Sequence, residues 1–297
     1  MTPTAKPNMA FELFLLVLLA FLWGSSYSFM KIAVETIPPF SLIAFRVSLA
    51  AVLLLAIMAW QKERLPRSAK MWGLLLVQSF LNAIASWTLL AWGQQYVDSG
   101  LAGVLNSTSP LFVFFITFVL GSKENASWLK LVGATSGLVG VVLIIGVDVL
   151  AGLGTAVLAQ LAILAGAVLY AFAAIFGRNF SGQAPVVTAT CTVLWGVIFM
   201  VPLALFLDKP WTLNPSTVSL AAATAMTVLS TVCAFLIYFR LLKTLGAMGT
   251  ASQAYLRAGI SVVLGIVLLG ETLTLVVGLG VALAILGVVA INLPRRS

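Results

Sequence analysis

Long apolar runs follow one another along the whole chain, and they restrict the fold more than any other feature of the sequence. Ten runs of about 20 residues can be placed, each long enough to cross about 30 Å of hydrocarbon as a helix. Their approximate bounds are 9–31, 40–61, 70–92, 97–121, 127–146, 152–177, 184–207, 215–243, 247–270 and 271–293. The sequence therefore predicts an all-α membrane protein with ten transmembrane helices and no soluble domain.

The composition agrees with this class and excludes others. Charged residues make up 8% of the chain, against about 25% in soluble domains. The net charge of +8 comes from basic residues in short loops, so we expect no nucleic acid as a partner. Histidine is absent and Cys191 and Cys233 lie in apolar runs, so we expect no disulfide, metal site or cofactor. The first run is too long for a signal peptide and is kept as the first span.

The loops predict the orientation in the membrane. Twelve of the 16 lysines and arginines fall on one side of the ten spans, and basic loops stay in the cytoplasm. Only Lys31 and Lys209 lie in loops on the other side, while Arg46 and Arg257 lie within spans. Both termini are therefore predicted to be cytoplasmic, in a multi-pass protein of a bacterial-type inner membrane.

Weak internal matches indicate a repeat. Pro39 at the start of the second span corresponds to Pro185 at the start of the seventh, and Gly121 corresponds to Gly270. The triplet 140–142 (Gly-Val-Val) returns at 287–289. Because five spans per half is an odd number, the second half must be inverted, as in many secondary transporters. We predict two inverted five-helix repeats, 1–147 and 148–297.

Several short motifs carry a family resemblance. They are Trp23-Gly24-Ser25-Ser26, Lys31, Pro39 and Phe45-Arg46 in the first half, and Leu269-Gly270-Glu271-Thr272 with Gly280 and Gly287 in the second. In this order the motifs resemble the ten-helix EamA-type exporters of the drug/metabolite transporter superfamily. Within it the chain is most similar to exporters of aromatic and other amino acids.

The resemblance implies export of a small metabolite by alternating access between the two halves. Two departures bear on whether the halves still play identical roles. The first repeat has Ser122 where the family usually has a glutamate, and the second has Gly259 where the first has Pro110.

Two polar stripes within the apolar runs are candidate substrate contacts. Arg257 lies midway along the ninth run, where an arginine is costly unless it faces the bundle interior or water. Gln253 and Ser261 lie four residues before and after it, on the same helix face. The other stripe consists of Gln78, Asn82 and Ser86. Either the stripes line a cavity in which Arg257 faces a substrate carboxylate, or Arg257 binds backbone carbonyls at a helix end or break.

Two further groups have alternative interpretations. Asn106 to Pro110 form a polar run with a proline inside the fourth span, which is either a gating hinge or a repaired kink. Lys31, Glu35 and Arg46 lie toward the outer surface by the predicted orientation, and Glu35 is available to neutralise either base. They form either an outer gate or a structural anchor.

The aromatic residues at depth also have two interpretations. They either stack on the substrate or pack in the core, and they are Trp23, Tyr170, Trp195 and Tyr255.

The acidic residues bear on energy coupling. All eight lie at span ends or in loops, whereas proton antiporters usually keep a carboxylate or histidine in the membrane. This favours gradient-driven facilitation. Glu12 is the one acidic residue that would lie within the membrane if the first span began earlier. Drug or metabolite efflux by proton antiport is the alternative on the same fold.

A membrane-embedded transferase would need clustered catalytic groups, which the sequence does not offer, so we expect no enzyme. Small glycines such as Gly133 and Gly137 allow close helix contacts but leave monomer and homodimer open.

Overall fold

The computed structural model describes residues 9–119, 132–133, 135–137, 139–140, 143, 155–180, 182–245 and 253–292. Within these ranges the chain is helical apart from turns and short connections, and it contains no β-strand. Most of the predicted fifth span, together with Gly121 and Ser122, lies outside the described residues.

The helices follow the apolar runs closely. They are α1 (Met9–Ala33), α2 (Pro39–Trp60), α3 (Ala69–Gly93), α4 (Ser99–Asn106), α5 (Ser109–Val119), α6 (Thr155–Phe176), α7 (Pro185–Leu207), α8 (217–244), α9 (Gln253–Leu269) and α10 (Leu275–Asn292). Proline at the first helical position starts α2 and α7, where its missing N–H removes no helical bond. α10 starts later than the predicted 271, because Gly270 at φ +66° ends α9.

Within the described ranges, seven helical stretches have the length and composition needed to cross a membrane. Two shorter apolar helices, Leu256–Leu269 and Leu275–Gly287, follow in the second half. The prediction of a multi-pass, all-helical membrane protein is therefore confirmed. The count of ten spans and the cytoplasmic termini stay predictions.

Among the spans that the structure describes, three are not regular α-helices. α3 contains a π-helical segment at Phe80–Ile84, and α8 contains one at Met226–Cys233. The fourth span is divided between α4 and α5, since helical geometry stops at Asn106 and resumes at Ser109. The sequence predicted a kink at Pro110 but gave no indication of the π segments, which occur in the third span of each predicted half.

Helices of the two predicted halves contact each other in reciprocal pairs. α1 packs against α8 and α9, and α6 packs against α3, α4 and α5. α2 packs along α7, and α4 packs along α9. Each half therefore inserts its first helix between the third and fourth spans of the other half, which creates an interior lined by both.

Glycines allow the ends of the two halves to touch through their backbones. A Cβ atom on Gly140 would lie 2.5 Å from the nitrogen of Ala284. A Cβ atom on Gly287 would lie 2.5 Å from the oxygen of Gly133 and from the nitrogen of Gly137. Because no side chain fits between these helices, they are held at the closest distance that backbones allow.

Gly103 provides a test of the α4–α9 contact. A Cβ atom at this position would overlap the buried side chain of Ser261, so Gly103→Ala should destabilise the protein by about 1–3 kcal/mol. Unfolding of the detergent-purified protein measures the change. Gly73→Ala is the matched control, since nothing lies within 4 Å of its Cβ position. The double variant with Ser261→Gly should recover stability. Equal stability of Gly103→Ala and Gly73→Ala would contradict the packing.

Candidate functional site

A buried arginine is at the centre of the polar interior. Arg46 on α2 is 5% exposed, and its guanidinium carbon lies 3.8 Å from the ring centroid of Trp87 on α3. Its Nε donates a hydrogen bond of 2.9 Å to Oγ1 of Thr231, in the π segment of α8. Arg46 therefore joins the two halves through a cation–π contact on one side and a hydroxyl on the other.

Tyrosine and asparagine side chains extend this cluster. Asn106 at the end of α4 donates from Nδ2 to the hydroxyl of Tyr27, at 2.5 Å. Tyr170 on α6 lies within electrostatic range of Arg46, Tyr27 and Arg257. The oxygen Oδ1 of Asn106 is buried and has no hydrogen-bond partner among the described residues. The predicted residues Arg46, Tyr170, Asn106 and Arg257 thus belong to one cluster.

Arg257 contacts the break between α4 and α5. Its Nε donates to Oγ of Ser107 at 3.2 Å, and its Nη2 donates to the backbone oxygen of Asn106 at 3.4 Å. Pro110 has no N–H, so this carbonyl lacks the donor that a continuous helix would supply. The hydroxyl of Ser109 also donates to it, at 2.9 Å. Of the two hypotheses for Arg257, these contacts match the one that assigns it to a helix break.

The Trp23-Gly24 motif brings α1 close to α9 and α8. A Cβ atom on Gly24 would lie 2.7 Å from Cγ2 of Ile260, so only glycine lets α9 approach so closely. The indole Nε1 of Trp23 donates to the backbone oxygen of Ser230 at 3.1 Å. Trp23 also contacts Tyr238, with 5.2 Å between the ring centroids. The polar nitrogen of Trp23 is therefore committed to the π segment of α8.

The stripe predicted on α3 spans its π segment. Ser86 is fully buried, and its hydroxyl donates to the oxygens of Leu81 and, on α6, of Gly166. A π turn inserts one residue, which sets the following part of the helix back by about 100°. Because eight residues of regular α-helix advance about 80° beyond two full turns, this leaves Ser86 near the face of Gln78. Gln78 is buried with an unpartnered Oε1, and Asn82 is half-buried. The role of the three residues as substrate contacts stays a prediction.

The remaining predicted contacts lie elsewhere. The indole nitrogen of Trp195 donates to the backbone oxygen of Trp72 at 3.0 Å, in a separate aromatic group at the other end of α3. Gln253 is buried at the start of α9, and its Oε1 has no partner in the described part of the chain. The side chain of Tyr255 lies outside the described residues.

Lys31 binds backbone carbonyls and not Glu35, one of the two acid–base pairings that the sequence left open. The Nζ of Lys31 donates to the backbone oxygens of Gln94 and Val97, at 3.0 and 2.9 Å. It thus binds carbonyl groups at the end of α3, while Glu35 is exposed on the following turn. Arg46 contacts Thr231 and Trp87 in the interior and does not pair with Glu35.

The same end of the bundle is held together by carboxylates. Glu271 accepts from the backbone nitrogens of Ser99 and Gly100, at 2.6 and 2.9 Å, and so caps α4. Asp208 after α7 accepts from the nitrogen of Ser41 on α2 at 2.6 Å. Both contacts join the first half to the second.

The charges around the α4 cap affect Asp98, which precedes that helix. Burial raises the pKa of the Asp98 carboxyl, the negative charge of Glu271 raises it further, and Lys31 opposes both.

The sequence did not predict all of these contacts. For some residues no pattern pointed to the contact, whereas another residue was noticed without its partner. Tyr27 lies beside the serines of the Trp23 motif, whereas Trp87 and Thr231 lie in apolar runs, and nothing in the spacing of the three brings them to Arg46. Glu12 was noticed but given no partner. It is fully buried and forms an ion pair of 2.7 Å with Arg240, and it accepts a hydrogen bond from Thr244.

The chain was compared with known proteins. It is 26% identical over 274 residues to the "Uncharacterized inner membrane transporter YedA" of Escherichia coli K12, covering 92% of this chain and 88% of the relative. An "Uncharacterized transporter" of Archaeoglobus fulgidus is 27% identical, with 82% of this chain and 83% of the relative covered. An "S-adenosylmethionine/S-adenosylhomocysteine transporter" of Chlamydia trachomatis is 34% identical, with 45% of this chain and 41% of the relative covered.

A solved structure bears on the fold. One titled "Crystal structure of protein" superposes with a TM-score of 0.65 at 17% identity, covering 96% of each chain. The model of the EamA-like transporter family matches twice, at residues 10–146 and 157–293. The chain belongs to the EamA-like transporter family of the drug/metabolite transporter superfamily.

Proposed function

We propose that this protein exports small metabolites, with aromatic or large neutral amino acids as the favoured cargo, by alternating access across a bacterial-type inner membrane. The observation that carries the proposal is the polar cluster around Arg46 and Arg257, which lies where the two predicted halves meet inside apolar helices. Polar and ionisable groups inside a membrane mark substrate pathways. The inner-membrane location is supported by the description of the Escherichia coli relative.

The two halves are proposed to be inverted repeats, 1–147 and 148–297, with five spans each and both termini in the cytoplasm. The two separate matches to the family model fall on either side of this boundary. The reciprocal helix pairs and the π segments in the third span of each half also support it. An inverted pair of this kind binds its substrate between the halves and exposes it to one side at a time.

In the predicted orientation, the contacts between the halves at the outer end support a state closed toward the outside. The carboxylates of Glu271 and Asp208 hold α4 and α2 at the outer end. The hydroxyl of Ser219 donates to the backbone oxygen of Ile32, and the backbone nitrogen of Ser216 donates to the hydroxyl of Thr36. These hydrogen bonds connect the start of α8 to the end of α1. Release outward therefore requires these contacts between halves to break.

The proposed residues have distinct functions within this site. The residues proposed to line the path are Tyr170, Trp23, Gln253, Arg257, Gln78, Asn82 and Ser86, with Asn106 at the α4–α5 break. Trp195 and Tyr255 stay candidate substrate contacts from the sequence alone. Lys31 anchors the outer end of α3. The partners are a small-molecule substrate and the lipid bilayer; we propose no cofactor, no metal, no nucleic acid and no catalysis, and monomer and homodimer stay open.

Reconstitution in liposomes tests the cargo and the coupling. At least one aromatic or large neutral amino acid should equilibrate down its gradient, at the same initial rate with and without an imposed pH gradient. Labelled uptake, corrected with protein-free liposomes, gives the rates. If no amino acid moves, the proposed cargo is wrong.

The same assay distinguishes facilitation from proton antiport. Glu12 is a buried carboxylate in a membrane helix, and it is the specific observation in favour of antiport. Absolute dependence on the pH gradient, abolished by Glu12→Gln, would replace facilitation with antiport.

Arg257 allows a separate test. Removing its guanidinium takes one of two donors from the Asn106 carbonyl and the donor from the Ser107 hydroxyl, so Arg257→Ala should lower the free energy of unfolding by about 1–3 kcal/mol. Pro110→Ala restores an N–H, so the double variant should lose less than the sum of the single changes. Wild-type stability of Arg257→Ala, with transport lost for carboxylates but kept for the decarboxylated amines, would instead assign Arg257 to the substrate.

A further inference from the structure

We propose that Arg46 binds the carboxylate of the transported substrate through the two Nη atoms of its guanidinium, which Trp87 and Thr231 hold in a fixed orientation. This inference rests on the proposed function and names the chemical group that the site recognises. It assigns the substrate's anionic end to α2.

The charge of Arg46 is the first argument. The side chain is 5% exposed, within a helix of membrane-spanning length. The described residues form one ion pair, between Arg240 and Glu12. No carboxylate in that part of the chain therefore neutralises Arg46. An isolated buried charge is strongly unfavourable, and the ring of Trp87 compensates for only part of its lost hydration. The site thus favours an anionic ligand.

The geometry of the guanidinium is the second argument. Arginine offers five N–H donors in one plane. The guanidinium carbon lies over the ring of Trp87, 3.8 Å from its centroid, and Thr231 accepts from Nε. No hydrogen bond from Nη1 or Nη2 is found to any described residue. The fork formed by these two nitrogens matches the two oxygens of a carboxylate, which arginine binds in a bidentate manner.

The surroundings of Arg46 connect this binding to the second half. Arg46 and Trp87 lie on α2 and α3, whereas Thr231 lies in the π segment of α8 and Tyr170 on α6. A carboxylate on the fork therefore acts on a side chain that already contacts both halves. Arg257 differs, because two of its nitrogens bond to the α4–α5 break.

A binding panel tests the assignment without requiring transport. The probes are the aromatic and large neutral amino acids, their amides, which lack the carboxylate but keep the ammonium, and the corresponding 2-oxo acids, which keep only the carboxylate. Affinities come from ligand-induced thermal shifts and equilibrium binding to the purified full-length chain. The wild type should bind at least one carboxylate-bearing probe about tenfold or more tightly than its amide, as expected for a charge-assisted pair.

Variants of Arg46 show whether this preference comes from the fork. Arg46→Gln should abolish the preference, and Arg46→Lys, which retains the charge without the fork, should reduce it by about tenfold. Lys209→Gln, at an exposed cation in an outer loop, is the matched control and should keep the full preference. If Arg46→Gln does not fold, Arg46→Lys and Thr231→Val, which frees Nε, provide the test.

Two outcomes would overturn the assignment. One is a carboxylate preference that is unchanged in Arg46→Lys and Thr231→Val. The other is a wild-type protein that binds amides as tightly as acids. Failure of the proposed function is recognised separately, because it would abolish amino-acid uptake in liposomes whatever the binding panel gives.

Discussion

The centre of this structure depends on a carbonyl oxygen that lacks its helical hydrogen-bond donor. Inside a membrane, water does not compensate for a missing backbone hydrogen bond, so protein groups must do so. Pro110 removes the donor for Asn106, and the replacement donors come from Ser109 in the same half and Arg257 in the other. The break in one half is therefore stabilised by a cation from the other.

The same principle explains why the two arginines differ. Arg257 contributes donors to backbone and hydroxyl oxygens at a helix break, whereas Arg46 is held by an aromatic ring and a single hydroxyl. A guanidinium whose nitrogens bond to the protein has less left to offer a ligand. The polar interior thus combines a position suited to holding helices together with a position suited to recognition.

The sequence predicted the helical spans, the polar run at Asn106 and the depth of Arg257, because apolar length and membrane cost are local properties of the chain. It did not predict the π segments, since these depend on packing between helices, and one of them lies within the stripe of Gln78, Asn82 and Ser86. The partners of Arg46 come from distant parts of the chain, whereas the sequence offered only Glu35, a neighbour along the chain, as an available acid. Repeats and loop charges indicate topology, but they do not indicate which side chains meet.

The cap that Glu271 places on α4 has a consequence for the outer surface. While it is in place, the first N–H groups of α4 are bonded to a carboxylate of the opposite half and need no water. In the proposed transport cycle the halves separate here, and both the carboxylate and these N–H groups must then be hydrated at once. Entry of water at this end of the bundle is therefore part of the proposed opening step, and conditions that lower water activity should slow it.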